Sequence, residues 1–177
     1  MSRSWATLLA SLFIALVLVG LFLEPEIVST YWHLRFGNFA KFHEWRIPVP
    51  KGWWAFTKED QLIVQKMRRF YDRGDPAGII VGTLTSSKPI KPEALKEASI
   101  QVNSRKGYAF EEDRTIGIGK GSGYCLHFSA VKDEKLIHIT CDSLSAGLSL
   151  DLYGRPSDIQ PFYSVVNQIV DLRVQAH

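Results

Sequence analysis

An uncharged apolar stretch near the start of the chain constrains its structure more than any other feature. Residues 5–23, WATLLASLFIALVLVGLFL, contain nothing more polar than Thr7 and Ser11. As an α-helix the stretch would extend about 29 Å at about 1.5 Å per residue, close to the roughly 30 Å hydrocarbon core of a bilayer. The sequence therefore predicts a transmembrane helix over residues 5–23.

A cleaved signal peptide is the alternative to an anchor. Signal peptides typically combine an apolar core of about 7–15 residues with a small-x-small cleavage site. Here the core is longer, and Leu18, two positions before Gly20, makes a poor site. The first cysteine is Cys125, so no lipid attachment point lies near the stretch. These observations favour an uncleaved anchor.

The charges that flank the stretch predict its orientation. Arg3 precedes it, and Glu24 and Glu26 follow it. Lys and Arg prefer the cytoplasmic side of a membrane. We therefore expect residues 1–4 in the cytoplasm and the C-terminal domain outside it, in the periplasm if the cell is bacterial.

An aromatic segment, residues 24–43, follows the apolar stretch, and we interpret it as a juxtamembrane tether. Its rings alternate with basic side chains, a composition suited to the headgroup level of a bilayer and to anionic lipid. Packing of the same rings onto the following domain is an equally good interpretation. The candidate contacts with the membrane interface or a partner are Tyr31, Trp32, Arg35 and Phe36.

A second basic group lies between two predicted strands, in the sequence QKMRRFYDR. It could contact anionic lipid or an acidic partner, although most runs of charge are simply solvated surface. Its candidate contact residues are Lys66, Arg68, Arg69 and Arg73.

Residues 44–177 have the length of one domain. The whole chain is 46% hydrophobic and 22% charged, with a net charge of +3. This charge is too small to indicate a nucleic-acid partner. Hydrophobic periodicity predicts a helix over Pro92–Lys106, with Leu95 and Val102 on its buried face, and a last helix containing Phe162 and Val166.

Strand signals surround these two helices. Residues 61–67 and 77–84 are β-rich, and four more strands are expected at about 109–118, 123–131, 135–142 and 147–154. Because consecutive strands joined by hairpins pair antiparallel, the pattern predicts an α+β fold. We expect a mainly antiparallel sheet covered by two amphipathic helices, an α/β/α sandwich, preceded by the transmembrane helix.

The turn Ile47-Pro-Val-Pro-Lys-Gly-Trp53 and the Phe162–Ile169 segment resemble the PsbP-like superfamily. That superfamily includes the photosynthetic oxygen-evolving P subunit, a nuclear Ran-binding factor and DcrB-type envelope proteins. The resemblance covers about residues 44–174. It implies an antiparallel sheet between helices and a role in binding, assembly or stability rather than catalysis. No binding residue of the family can be matched to a position in this chain.

Three further patterns bear on chemistry. The glycine-rich run Ile116–Gly123 lacks the spacing of a phosphate-binding loop, and a strand rather than a helix follows it, so we expect no cofactor. His127 and His138 lie on the two arms of one predicted hairpin. They could share a metal ion or sense pH, but two ligands are too few to define a metal site, so a structural role is favoured. No serine has the spacing of a nucleophile elbow.

Cys125 and Cys141 are the two cysteines of the chain. A disulfide is permitted if the domain lies outside the cytoplasm. An odd-length hairpin loop would place them opposite each other, whereas alignment of the apolar faces of the two arms requires an even loop and would separate them. A bulge, or a sheet covered on both faces, would remove the conflict, so both outcomes remain open.

Two functions are compatible with these patterns. The favoured one is a membrane-anchored extracytoplasmic module that binds, assembles or stabilises a membrane-proximal protein partner. The alternative is a small envelope enzyme, a hydrolase with an unrecognised active site. We assign no catalytic residue from the sequence, and we expect the bilayer and a membrane-associated protein as partners, with no nucleic acid.

Overall fold

The computed structural model describes residues 3–66, 77–84, 92–118, 121–133, 135–143 and 145–172. The chain begins with a 34-residue helix, α1 (Arg3–Phe36), which continues through Pro25 without interruption. At about 1.5 Å per residue, α1 is roughly 51 Å long. The helix therefore extends well beyond the apolar stretch that predicted it.

In the described part of the chain, ten strands and two further α-helices follow α1. The helices are α2 (Pro92–Arg105) and α3 (Ile159–Asn167), and a short 3-10 helix (Pro156–Asp158) precedes α3. The strands are β1 (Phe39–Phe42), β2 (Trp45–Pro48), β3 (Trp53–Lys58), β4 (Gln61–Lys66), β5 (Gly78–Thr83), β6 (Tyr108–Ile118), β7 (Gly121–Ala130), β8 (Ile137–Ser143), β9 (Leu148–Gly154) and β10 (Val170–Asp171).

The strands form two antiparallel sheets. A small sheet has the order β1-β2-β10, and a seven-stranded sheet has the order β3-β4-β5-β9-β8-β7-β6. The predicted α+β class with a mainly antiparallel sheet is confirmed.

One face of the seven-stranded sheet, here called the inner face, carries the main core. Alternate residues of neighbouring strands line up across it, as in the row Val64, Ile79, Leu152 and Ile139, each at most 1% exposed. Helix α3 covers this face with Phe162, which is fully buried. The small sheet joins the same buried cluster.

The opposite, outer face is covered in part by α2, which contacts β6 and β7. The buried side of α2 runs through Ser99 and Asn103, and Val102 is 48% exposed. The prediction that Val102 is buried is therefore wrong. Asn103 turns toward the sheet because its side-chain oxygen lies 2.7 Å from Nδ1 of His138, so a polar contact sets the rotation of the helix.

The last turns of α1 pack against the edge strand β3. The Ser29 hydroxyl donates to the carbonyl of Trp53 at 3.0 Å, and the Trp32 indole donates to the carbonyl of Ala55 at 2.8 Å. Edge strands expose unpaired backbone groups, and these side chains satisfy two of them. Strand β1 also pairs with β2. The packed unit therefore begins before residue 44, the domain start expected from the sequence.

Within the residues that the structure describes, no helix combines the length and the apolar character needed to cross a bilayer. The transmembrane helix over residues 5–23 stays a prediction.

Candidate functional site

The first half of α1 exposes apolar side chains on all sides. Every large apolar side chain described between Trp5 and Leu23 is 46–68% exposed, with Val17 and Phe13 at the two limits. Large contiguous apolar surfaces on proteins normally mark contacts with a membrane or another protein. This surface is therefore a candidate contact with a membrane or a protein.

The second half of α1 carries a small aromatic and basic cluster. Arg35 donates to the Tyr31 hydroxyl at 3.2 Å, and its guanidinium lies 5.3 Å from the centre of the Phe36 ring. Tyr31 and Phe36 are 59% and 56% exposed. Trp32, the fourth candidate, is 8% exposed and uses its indole N–H within the domain. Trp32 is therefore part of the core rather than of this surface.

The second group of candidate contacts falls mostly outside the described residues. Arg68, Arg69 and Arg73 belong to that undescribed segment. The Nζ atom of Lys66, at the end of β4, lies 3.2 Å from Oδ1 of the buried Asp158. The other carboxylate oxygen of Asp158 accepts a hydrogen bond from the Arg155 backbone N–H. Lys66 thus joins β4 to the turn before α3.

Cys125 and Cys141 form a disulfide with an S–S distance of 2.03 Å. They are direct neighbours in the β7–β8 register and lie on the inner face. Leu126 and Phe128 point to the other side, where both are buried. Alternation of apolar residues would separate the two cysteines only in a sheet with one buried face, and here both faces of the hairpin are buried.

The two histidines of this hairpin lie on opposite faces. His127 pairs with Ile139 on the inner face, and His138 pairs with Phe128 on the outer face. They cannot bind one metal ion together. Among the described residues, no three His, Cys, Asp or Glu side chains cluster as metal ligands.

His138 is built into the outer face. It is 3% exposed, with Nδ1 beside Asn103 and Nε2 3.0 Å from a carboxylate oxygen of Asp151. The Tyr153 ring stacks on it at 4.1 Å between centroids. Burial, followed by the charge of Asp151, raises the pKa of Tyr153 to about 12. Both ring nitrogens of His138 are occupied, so it links α2 to the sheet.

His127 lines a cleft of ≈ 310 Å³ on the inner face, near the β6 edge of the sheet. Its Nε2 shares a short hydrogen bond with the Tyr163 hydroxyl, and its Nδ1 lies 3.6 Å from Glu112. Burial lowers the pKa of His127, although the Glu112 charge opposes this shift. Burial also raises the pKa of Tyr163. The pair therefore favours a neutral imidazole beside a neutral phenol.

A β-bulge shapes the rim of this cleft. The β6–β7 register shifts between Phe110 and Glu112, and Glu111 bonds to Ser129 of the inner face. A bulge places two consecutive residues on one side, so Glu111 and Glu112 both border the cleft. Glu112 also pairs with Arg114 at 2.6 Å. The sequence singled out His127, but no local pattern predicts its pairing with Tyr163, since the two residues lie 36 positions apart and the bulge interrupts the alternation of β6.

The described parts of the glycine-rich run form arms of the β6–β7 hairpin. A Cβ atom on Gly123 would lie 2.3 Å from the Ile118 side chain, and one on Gly121 would lie 2.2 Å from Ser145. Gly123 thus allows close packing against β6, and Gly121 allows close approach of the turn between β8 and β9.

Comparisons with known proteins bear on the fold alone. No protein-family model and no curated protein sequence matches the chain. The solution structure of cyanobacterial PsbP (CyanoP) from Synechocystis sp. PCC 6803 matches with a TM-score of 0.49 and 11% sequence identity, over 71% of this chain and 85% of that chain. The resemblance expected from the sequence is thus found as a weak PsbP-like likeness in fold.

Proposed function

We propose that the protein is a membrane-anchored module that binds or assembles a protein partner close to the bilayer, outside the cytoplasm. The observation that carries the proposal is the exposure of apolar side chains on every side of α1 before residue 24. Burying apolar surface contributes roughly 25 cal/mol per Å², so a bilayer or a protein that covers this surface would stabilise the chain substantially.

The attachment of α1 to the domain supports a membrane-proximal role. Ser29 and Trp32 bond to β3, so the second half of the helix belongs to the domain rather than to a flexible tether. From Leu23 to Phe36 the helix rises about 20 Å at about 1.5 Å per residue. A partner held in the same membrane would meet the domain at high effective concentration, which allows a weak direct contact to suffice.

Alkaline extraction of native membranes tests the anchor. We expect the full-length protein to remain in the membrane pellet, and a variant with Leu12→Lys and Leu16→Lys to shift to the soluble fraction. Charged residues at the centre of a spanning helix cost about 2.5–3.5 kcal/mol each on insertion scales. Full extraction of the unaltered protein would reject the anchor.

Single-cysteine labelling tests the orientation. Val131 is 69% exposed, and the chain's own cysteines form a buried disulfide. Val131→Cys should react with a membrane-impermeant maleimide in intact cells, whereas Ser2→Cys should react only after lysis. The reverse pattern would show that the domain is cytoplasmic.

Affinity purification in mild detergent tests the binding role. We expect a stoichiometric membrane-associated partner whose yield falls severalfold when Tyr31→Ala and Arg35→Ala are combined. Val102→Ala is the matched control, since it changes an exposed side chain at a distance from α1. Unchanged recovery with the double variant would remove this cluster from the binding surface.

The hydrolase alternative is favoured by one observation: His127, which lines a cleft, is hydrogen-bonded to Tyr163. A neutral histidine can act as a general base at neutral pH. Hydrolysis of simple esters by the purified protein, lost in His127→Gln and retained in Val102→Ala, would support an enzyme. Equal background rates of ester hydrolysis for the unaltered protein and both variants would reject the enzyme function.

A further inference from the structure

One stripe of α1 repeats with the spacing of a coiled-coil seam. Positions 13, 16, 20, 23, 27, 30 and 34 alternate steps of three and four residues, and they hold Phe13, Leu16, Gly20, Leu23, Ile27, Thr30 and Leu34. None of these side chains is charged. A 3-4 repeat of apolar residues is the pattern by which helices pack side by side along a shared seam. The stripe covers three heptads and continues past the predicted anchor.

The seam lies on the side of α1 that faces away from the domain. At about 100° per residue, its axis is roughly 180° from the docked positions Ser29 and Trp32. The exposed fractions of the seam side chains agree with this orientation, since Leu23, Ile27 and Leu34 are 47%, 56% and 82% exposed. Beyond its chain neighbours and the nearby backbone of its own helix, nothing described lies within 4 Å of the position that a Cβ would take on Gly20. A second helix could therefore reach the seam without meeting the domain.

The surface of the seam can accept side chains of a neighbouring helix. A shallow, open groove of ≈ 340 Å³ runs along it and is lined by residues 23, 26, 27, 30, 31 and 34. These positions form two successive sets of four, 23-26-27-30 and 27-30-31-34. Four such residues make the hole that accepts one side chain in knobs-into-holes packing. The groove is thus two adjacent holes.

We propose that this seam is a parallel interface between two copies of the chain. The inference rests on the proposed membrane attachment, because two copies anchored with one orientation have parallel helices in the same register. In that arrangement each seam faces an identical seam, as a two-fold interface requires. Leu34 of one copy then meets Leu34 of the other, and Ile27 meets Ile27. The pairing covers the apolar residues that lie beyond the predicted span, where lipid tails would not reach.

The flanking residues are compatible with parallel pairing. In parallel coiled coils a residue in the g position lies near the e position five residues later on the other helix. Glu26 and Tyr31 occupy these positions. The Tyr31 oxygen already accepts from Arg35, so its hydroxyl hydrogen can be donated to the Glu26 carboxylate of the second copy.

Disulfide cross-linking in native membranes tests the interface. The chain's two cysteines are bonded to each other and buried, so each single-cysteine variant reports one position. We expect Ile27→Cys, Thr30→Cys and Leu34→Cys to give, on mild oxidation, a species of twice the 20.0 kDa chain. Phe36→Cys is the matched control. It is 56% exposed, like Ile27, but lies away from the seam, and we expect severalfold less dimer.

A second variant separates the interface from folding. Adding Ile27→Lys and Leu34→Lys to Thr30→Cys should abolish the dimer while leaving the thermal unfolding of the domain unchanged, because both side chains are exposed. Equal cross-linking at Phe36 and the seam, absence of cross-links, or a seam adduct of another mass would each overturn the inference.

Alkaline extraction of the same samples distinguishes the two proposals. An integral protein without seam cross-links would contradict the interface and leave the anchor standing. An extractable protein with seam-specific cross-links would contradict the anchor and support the interface.

Discussion

The inner and outer faces of the seven-stranded sheet are buried by different means. The inner face carries an apolar core under α3, and the disulfide is part of this core. The outer face is covered in part by α2, and a histidine with two polar partners fixes that helix. The hairpin β7–β8 contributes His127 to one face and His138 to the other. Apolar packing thus buries the inner face, whereas polar contacts determine how α2 is placed on the outer face.

The largest effect should come from the inner core. Phe162→Ala removes a fully buried ring, and we expect a loss of about 3–5 kcal/mol in the free energy of unfolding. Val102→Ala, on the exposed side of α2, should change it by less than about 0.5 kcal/mol. Chemical denaturation of both variants makes the comparison. Similar losses of unfolding free energy in the two variants would contradict the expectation that Phe162 is a core residue and Val102 a surface residue.

Removal of the disulfide should have the next largest effect. Cys125 and Cys141 close a loop with a sequence separation of 16, for which the chain-entropy model gives about 3 kcal/mol. We expect Cys125→Ala with Cys141→Ala to lower the unfolding free energy by roughly 2–4 kcal/mol. Denaturant midpoints with and without reductant provide the check, and the double variant should not respond to reductant. A smaller loss would show that packing alone holds this face.

Loss of the polar link on the outer face should cost less. His138→Ala leaves Asn103 and Asp151 without their shared partner, and an unsatisfied buried polar group costs about 1–3 kcal/mol. A double-mutant cycle with Asn103→Ala should give a coupling of about 0.5–3 kcal/mol. Additive losses would show that Asn103 and His138 do not act together in placing α2.

The smallest effect should be a pH dependence from His127. Its folded-state pKa lies below the ordinary value of 6.5 because burial disfavours the charged form. The unfolded chain then binds more protons, so stability is fully present above about pH 6.5 and falls as the pH decreases toward the folded-state pKa. Denaturant midpoints at pH 7.5 and 5.5 should differ less in His127→Gln than in the unaltered protein. An equal or steeper dependence in the variant would contradict the assignment.

The local pattern of the sequence predicted much of the fold. The predicted strand at 109–118 and the observed β6 (Tyr108–Ile118) nearly coincide, because alternation and hairpin turns are local signals. The burial of Phe162 followed in the same way from helical spacing. The rotation of α2 could not be predicted from helical spacing, because it depends on the contact between Asn103 and His138, which lie 35 residues apart.

The candidate site was less predictable for the same reason. The aromatic residues after the apolar stretch suggested an interface, but only tertiary contacts separate the buried Trp32 from the exposed Tyr31. The apolar stretch predicted a helix over residues 5–23, and yet α1 continues to Phe36. Its bonds to β3 support this continuation, and no local signal in the sequence encodes them.

The contact between α1 and β3 has a consequence for the production of the protein. Ser29 and Trp32 occupy carbonyl groups at an edge where another strand could otherwise add. Exposed strand edges are common starting points for aggregation. Because α1 is synthesised before β3, the cover is available as soon as the strand emerges. A fragment that begins after residue 36 would leave the β3 edge uncovered and should be prone to aggregate. By covering this edge, α1 prevents other strands from adding to the sheet.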